Sequence, residues 1–165
     1  MTMKFCPRCA APMTRLPLAG RDRVCCPDHQ CGYVFWDNPL PVVAALIERE
    51  GGVLLARNHG WPADMFGLIT GFIERGESPE QALLREVKEE LSLDVDRYEL
   101  IGVYPFPRKN ELIIAYHATA IGDVALNEEL AEYKLVPPAE LRPWAHGTGL
   151  AMRDWLARRT LSNGP

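Results

Sequence analysis

The sequence lacks long apolar runs and has no excess of positive charge. No stretch approaches the roughly 18 apolar residues that cross a bilayer, and the opening MTMKFCPRC has no apolar segment typical of a signal peptide. Lysine and arginine number 18 against 22 aspartates and glutamates, which argues against a general affinity for nucleic acid or anionic membranes. We therefore expect a cytoplasmic protein without membrane contact, for which a small molecule is a more natural partner than nucleic acid.

Cysteine is absent after residue 31. All five cysteines lie within residues 6–31, their number is odd, and no export signal precedes them. Such clustering favours a reducing compartment and a bound metal over a set of disulfides. Since 165 residues correspond to about one domain with little left over, the Cys-rich start is expected to be a small separate piece.

The cysteines form two spaced pairs, Cys6-Pro-Arg-Cys9 and Cys26-Pro-Asp-His-Gln-Cys31. This spacing is typical of a tetrahedral zinc site, and structural zinc supplies roughly 10–16 kcal/mol that so short a segment cannot obtain from a core. Four thiolates leave no open coordination position, so the zinc would be structural. Cys25 or His29 in place of Cys26 stays open as an alternative. We predict a zinc ribbon over residues 1–38, with the ligands Cys6, Cys9, Cys26 and Cys31.

From residue 42 onwards the composition becomes aliphatic. A stiff WDNPLP segment precedes the change, because a residue before proline disfavours helix. The alternation of strands with helices predicts an α/β fold, a mixed sheet with helices packed on its faces, over residues 39–160, followed by a tail at 161–165. The predicted elements are strands at 42–48, 52–57, 65–72, 99–106 and 111–120, and helices from Ser78 and over 149–159.

The stretch GFIERGESPEQALLREVKEELSL, residues 71–93, carries six glutamates. Ser78 and Gln81 can form a capping box around Pro79, so a helix is expected to begin here. Its predicted apolar stripe is Leu84, Val87 and Leu91, with Leu83 at the edge. Glu86, Glu89 and Glu90 fall on a neighbouring arc, where they could bind Mg²⁺ or Mn²⁺ through oxygen. A solvated acidic face is the alternative.

The spacing within this stretch resembles the signature of the Nudix hydrolases, G-x5-E-x7-R-E-U-x-E-E-x-G-U, where U is aliphatic. Eight of its nine defined positions agree, and serine replaces the second glycine. The matching residues are Gly71, Glu77, Arg85, Glu86, Val87, Glu89, Glu90 and Leu93, and the replacement is Ser92.

The resemblance implies an α/β/α sandwich around a mixed sheet. It also implies hydrolysis of the pyrophosphate linkage in a nucleoside diphosphate joined to another group, such as NADH, ADP-ribose or an ADP-sugar. By position, the metal ligands would be Glu86, Glu89 and Glu90, with the carbonyl of Gly71 near a metal. Glu77 and Arg85 would pair to brace the loop against the helix. Glu89 or Glu90 would accept the proton of the attacking water, and Glu129 is a second candidate.

The zinc ribbon and the YPFP segment (104–107) are similar to the NADH pyrophosphatase branch of that family. Of the branch motif S-Q-P-W-P-F-P-x-S, this sequence keeps only the P-F-P core, so the motif does not identify NADH as the substrate. Phe106, Arg108 and Phe66 are candidate substrate contacts, with core packing or a solvated turn as the ordinary alternative. The resemblance is compatible with a homodimer. A rival interpretation is a zinc-ribbon binding module on a Nudix scaffold that acts on or binds RNA ends.

Overall fold

The structure is a computed structural model that describes residues 3–162, and the chain divides into two compact units. The first comprises residues 1–38 and the second begins at Pro39. The division falls within the proline-containing WDNPLP segment. Neither helix in the described part of the chain is long and apolar enough to cross a membrane.

The first unit contains a three-stranded antiparallel sheet in the order β1-β2-β3, formed by β1 (Thr14–Leu18), β2 (Arg21–Cys25) and β3 (Val34–Phe35). Ala19 and Gly20 both have positive φ in the two-residue turn between β1 and β2, as the hairpin twist requires. Among its described residues, the buried apolar side chains are those of Cys6, Cys25 and Cys26. A hydrophobic core is therefore not what holds this unit together.

The second unit is built on a six-stranded mixed sheet. Its strands run in the order β7-β8-β4-β5-β9, with β6 paired to β4, and only β4 and β8 are parallel. The elements are β4 (Leu40–Arg49), β5 (Gly52–Asn58), β6 (Ile69–Phe72), α1 (Pro79–Leu91), β7 (Asp94–Phe106), β8 (Glu111–Ile121), β9 (Leu130–Val136), a 3-10 turn (Pro138–Glu140) and α2 (Thr148–Ser162).

Strand β4 lies at the centre and is buried on both faces, which explains its uninterrupted apolar sequence. Alternate residues of the strand point to opposite sides of the sheet. Val42, Ala44 and Leu46 belong to a core with α2, which contributes Met152 and Trp155. The intervening residues form a second core with α1, made up of Val43, Ala45 and Ile47 with Leu83, Val87 and Leu91. The predicted α/β/α sandwich is confirmed.

The structure differs from the predicted elements in several places. Strand β6 is shorter than predicted and β7 begins at Asp94. Strand β9 was not predicted, because it is an edge strand with one exposed face and a weak apolar pattern. The helix α2 continues to Ser162, so two residues of the predicted tail are helical, whereas 163–165 lie outside the described residues. On α1 the face toward the sheet includes Leu83 together with Val87 and Leu91, and Leu84 is exposed, so the buried stripe is shifted toward the Leu83 side of the helix.

Candidate functional site

Four cysteine sulfurs of the first unit converge. The Sγ atoms of Cys6 and Cys31 are 3.5 Å apart, as are those of Cys9 and Cys26, and all four lie within 4.8 Å of one another. Tetrahedral zinc with Zn–S bonds of about 2.3 Å needs sulfurs separated by about 3.8 Å. The donor set therefore fits zinc. Cys25 lies outside it and directs its Sγ toward the carbonyl oxygen of Arg23, 3.5 Å away.

Helix α1 is capped at both ends by serine. Ser78 accepts a hydrogen bond from the Gln81 amide at 3.2 Å, and the Gln81 side chain accepts one from the Ser78 amide at 2.8 Å, which completes the predicted capping box. At the other end Ser92 takes the left-handed conformation with φ 60°. Its hydroxyl donates to the Ala125 carbonyl at 3.2 Å. Serine thus occupies the backbone position that glycine would relax.

Arg85 connects the loop before α1 to the carboxylates of the helix. Its Nε and Nη2 donate to the two carboxylate oxygens of Glu77 at 2.8 and 2.9 Å, and Nη2 also donates to the Phe72 carbonyl at 3.0 Å. Its Nη1 donates to Glu86 at 2.6 Å and to Glu89 at 3.1 Å. The two hydrogen bonds from Arg85 lower the pKa of Glu77 to about 2. The loop and the helix are consequently held as one body.

Gly71 leaves room for the Glu86 carboxylate. A Cβ atom added at position 71 would coincide with the carboxyl group of Glu86. The glycine is therefore required by space, since its φ is not among the positive values of the chain. The close approach places the backbone of β6 directly against the Glu86 carboxylate of α1.

Glu90 is a buried carboxylate, only 7% exposed. Burial and neighbouring charges, with no side-chain hydrogen bond among the described residues, set the pKa of its carboxylate. Desolvation, reinforced by the charges of Glu86, Glu129 and Glu89, raises its pKa to about 8. Burial also raises the pKa of Glu86. A buried anion without a partner carries a large free-energy cost, which a cation at this position would offset.

Glu129 comes within electrostatic reach of Glu90 although it lies 39 positions later in the sequence. The Asn127 amide donates to the Glu90 carbonyl at 3.1 Å, which ties the loop to the end of α1. The Asn127 side chain in turn accepts from the Glu129 amide at 3.0 Å. Asn127 is not among the residues predicted from the sequence; an Asn at the start of a polar loop favours an Asx turn, in which its side chain binds the backbone amide two residues on.

The carboxylates of Glu86, Glu89 and Glu90 share one side of α1, but in this structure they do not converge as closely as the thiols. Among the described residues, the cysteine cluster is the one group whose donor atoms meet at metal-binding distances. Arg85 draws Glu86 and Glu89 toward itself, while Lys88 pairs with Asp94 at 2.8 Å. The oxygen-rich donor set and the unpartnered Glu90 fit a hard divalent cation.

The predicted substrate contacts lie elsewhere. Phe106 and Phe66 pack against the α2 core, on the face of the sheet opposite α1. The ring of Phe106 stacks on His146 with centroids 5.9 Å apart, and Lys134 Nζ lies 3.8 Å from the centroid of Phe66. Arg108 is exposed in the turn between β7 and β8. These contacts favour the packing alternative for the two rings, and their role toward substrate stays a prediction.

Two curated proteins are among those similar to this chain. The chain is 34% identical over 131 residues to the NAD-capped RNA hydrolase NudC of Pseudomonas aeruginosa, covering 78% of this chain and 45% of that protein. It is 29% identical to the NudC of Pseudomonas entomophila, covering 90% of this chain and 53% of that protein. The chain thus spans about half the length of these curated relatives.

Similarity extends to solved structures. The crystal structure of a NUDIX hydrolase from Nitrosomonas europaea superposes with a TM-score of 0.79 at 26% identity, covering 99% of this chain and 95% of the other. A family model described as NUDIX domain matches residues 38–158. That range holds all the carboxylates described above, and the chain therefore belongs to the NUDIX family.

Proposed function

We propose that the protein is a pyrophosphohydrolase that cleaves the diphosphate linkage of a nucleoside diphosphate joined to another group. The observation that carries this proposal is the set of Glu86, Glu89 and Glu90 on one side of α1, with Gly71 against the Glu86 carboxylate and the Glu90 carboxylate buried. NADH, ADP-ribose and ADP-sugars are the substrate class. Because the relatives include NAD-capped RNA hydrolases, an RNA that ends in a dinucleotide is a second candidate substrate.

Mg²⁺ or Mn²⁺ is the cofactor in this proposal, held by Glu86, Glu89 and Glu90 with the Gly71 carbonyl nearby. Such an ion supplies Lewis-acid polarisation of the phosphoryl oxygens and lowers the pKa of the attacking water. It also inverts the negative field that would otherwise repel the anionic substrate. The zinc held by the four cysteines is structural, since the thiolates leave no place for substrate.

Different glutamates and Arg85 have different roles in the proposed hydrolysis. Water adds to one phosphorus, the bridging P–O bond breaks, and two phosphate monoesters leave. One carboxylate takes the proton of the water, and Glu89, Glu90 and Glu129 are the candidates. Glu77 is unsuited to that task, because both of its oxygens accept from Arg85. Glu77 and Arg85 instead hold the loop and helix in place.

The proposal is tested by Mg²⁺-dependent turnover of NADH, NAD, ADP-ribose, ADP-glucose, diadenosine polyphosphates and a nucleoside triphosphate. Glu89→Gln, Glu90→Gln and Glu129→Gln are compared with Glu140→Gln, a matched change at an exposed glutamate of the 3-10 turn. We expect the variant that lacks the proton acceptor to lose at least about 100-fold in turnover, and Glu140→Gln to match wild type. Absence of turnover with both Mg²⁺ and Mn²⁺ would instead favour the binding-module interpretation.

Two further expectations belong to this proposal. The five cysteines form no disulfide, which suits a reducing compartment and supports a cytoplasmic location. A homodimer is expected from the resemblance to dinucleotide hydrolases, and light scattering of the purified protein measures it. A monomeric mass would contradict the second expectation without affecting the proposed chemistry.

A further inference from the structure

The Cys-rich unit carries an excess of positive charge. Within residues 3–38, no lysine or arginine forms an ion pair with a described residue, whereas arginines of the second unit pair repeatedly with carboxylates. The unit has three aspartates against its five basic residues, which are Lys4, Arg8, Arg15, Arg21 and Arg23. The rest of the chain is acidic. The basic character is thus local to this unit.

Two of these arginines share one face of the small sheet with exposed apolar side chains. In the register of β1 and β2, Leu16 lies opposite Arg23 and Leu18 lies opposite Arg21, and residues directly opposite in an antiparallel pair point to the same side. Trp36 joins them, because the Arg23 guanidinium lies 4.7 Å from the centroid of its ring. We call Leu16, Leu18, Arg21, Arg23 and Trp36 the ribbon face.

Two contacts hold the Arg23 guanidinium beside Trp36 on this face. Trp36 is 50% exposed, an unusual position for a large aromatic ring. Arg23 Nη1 donates to the Trp36 carbonyl at 3.2 Å, and its Nε is buried without a hydrogen-bond partner in the described chain. A second arginine–aromatic pair occurs in the same unit, where Arg8 lies 5.6 Å from the centroid of the Tyr33 ring.

An exposed aromatic ring beside unpaired arginines has the chemistry that binds single-stranded nucleic acid. Bases stack on the ring and on the guanidinium plane, and the phosphates meet the positive charge. Paired bases in a duplex do not offer their faces for such stacking.

We propose that the ribbon face binds single-stranded RNA, with Trp36 stacking on a base and Arg21 and Arg23 meeting phosphates. This inference rests on the proposed function, since it favours a dinucleotide carried at an RNA end as the substrate class over the free dinucleotide. The binding itself is measured without turnover, so the two proposals can fail separately.

The test is fluorescence anisotropy of the full-length, zinc-loaded protein with a fluorescein-labelled single-stranded oligoadenylate RNA, and with a blunt RNA duplex of the same length. Trp36→Ala and the double variant Arg21→Ala, Arg23→Ala are compared with wild type. Arg97→Ala is the matched control, because Arg97 lies in the second unit with its side chain 88% exposed. Zinc content and thermal melting verify that each variant is folded.

We expect Trp36→Ala to raise Kd at least about fivefold, the lower end of what one base–aromatic stack contributes. The double variant should raise Kd and reduce the slope of log Kd against log salt concentration by about 1.4, since each phosphate contact to a single strand contributes about 0.7. Arg97→Ala should bind as wild type, and the duplex should bind more weakly than the single strand. Wild-type affinity in both ribbon variants, or no binding of oligoadenylate by wild type at low salt, overturns the proposal. Failure of turnover with intact RNA binding would reject the proposed hydrolysis alone.

Discussion

Arg85 and Glu77 form a two-pronged ion pair, with Nε 2.8 Å from Oε1 and Nη2 2.9 Å from Oε2. The same guanidinium reaches Glu86 and Glu89, so one side chain sets the positions of the loop and of two candidate metal ligands. A planar guanidinium group with several N–H donors can bind all three carboxylates at once, whereas a lysine ammonium group cannot.

Arg85→Lys is expected to fold and to lose about 100-fold in kcat. An ammonium group cannot hold Glu77 and the helix carboxylates together, and a shift of catalytic side chains by about 1 Å lowers the rate by about that factor. Steady-state kinetics with the preferred substrate measures it. Arg97→Ala serves as control. Unchanged kcat in Arg85→Lys would remove the positioning role from this residue.

Glu77 should make stability depend on pH. Its pKa is lowered from 4.5 to about 2, so its contribution is complete above about pH 4.5 and is lost as the pH falls toward 2. Glu77→Gln should therefore be less stable than wild type at pH 7, with a difference that shrinks between pH 4.5 and 2. Urea unfolding at several pH values measures this, and a difference independent of pH would contradict it.

Glu90 should act in the opposite direction. Because its pKa is raised to about 8, the unfolded chain releases this proton at lower pH than the native protein, and stability falls as the pH rises from about 4.5 to 8. Without added divalent metal, Glu90→Gln should be more stable than wild type at pH 8, and Mg²⁺ should stabilise wild type more than the variant. Thermal melting with and without MgCl₂ measures both effects. Equal melting temperatures for wild type and Glu90→Gln would contradict the prediction.

Gly71→Ala is expected to displace the Glu86 carboxylate, because the added Cβ atom would coincide with it. Overpacking of this kind costs about 1–3 kcal/mol, and Mn²⁺ affinity should fall with it. The exposed neighbour Thr70→Ala is the control. Urea unfolding and Mn²⁺ titration compare the two, and equal behaviour would show that the backbone moves to make room.

The zinc ligands can be separated by single substitutions. Cys26→Ser should lose zinc and the fold of the first unit, whereas Cys25→Ser should keep both, because the Sγ of Cys25 lies outside the cluster. Metal analysis of the purified proteins measures the difference. Zinc retained in Cys26→Ser and lost in Cys25→Ser would reverse the assignment.

Ser92→Gly should raise stability by up to about 1 kcal/mol, because glycine adopts the left-handed cap without strain. The loss of the hydroxyl bond to Ala125 opposes this gain. Ser92→Ala removes the hydroxyl alone and separates the two effects in urea unfolding. A less stable Ser92→Gly would mean that the hydrogen bond outweighs the strain.

The predictions that depend on residues close together in the sequence agree well with the structure. The capping box of Ser78 and Gln81 and the left-handed Ser92 follow from local backbone geometry, and the membership of the NUDIX family follows from spacing along one loop and helix. The rotation of α1 was predicted less well, since Leu83 instead of Leu84 meets the sheet. Which leucine is buried depends on how the helix packs against strands formed by residues distant in the sequence.

Spacing within short segments is enough to predict the helix with its glutamates, the cysteine pairs and the strand-rich α/β character. Three findings needed the folded chain: Cys26 joins the sulfur cluster while Cys25 does not, Gly71 is required by space, and the charge of Glu129 acts on Glu90. Each of these depends on strand register and loop docking between distant segments. Burial, which sets the pKa of Glu90, exists only once those segments have packed together.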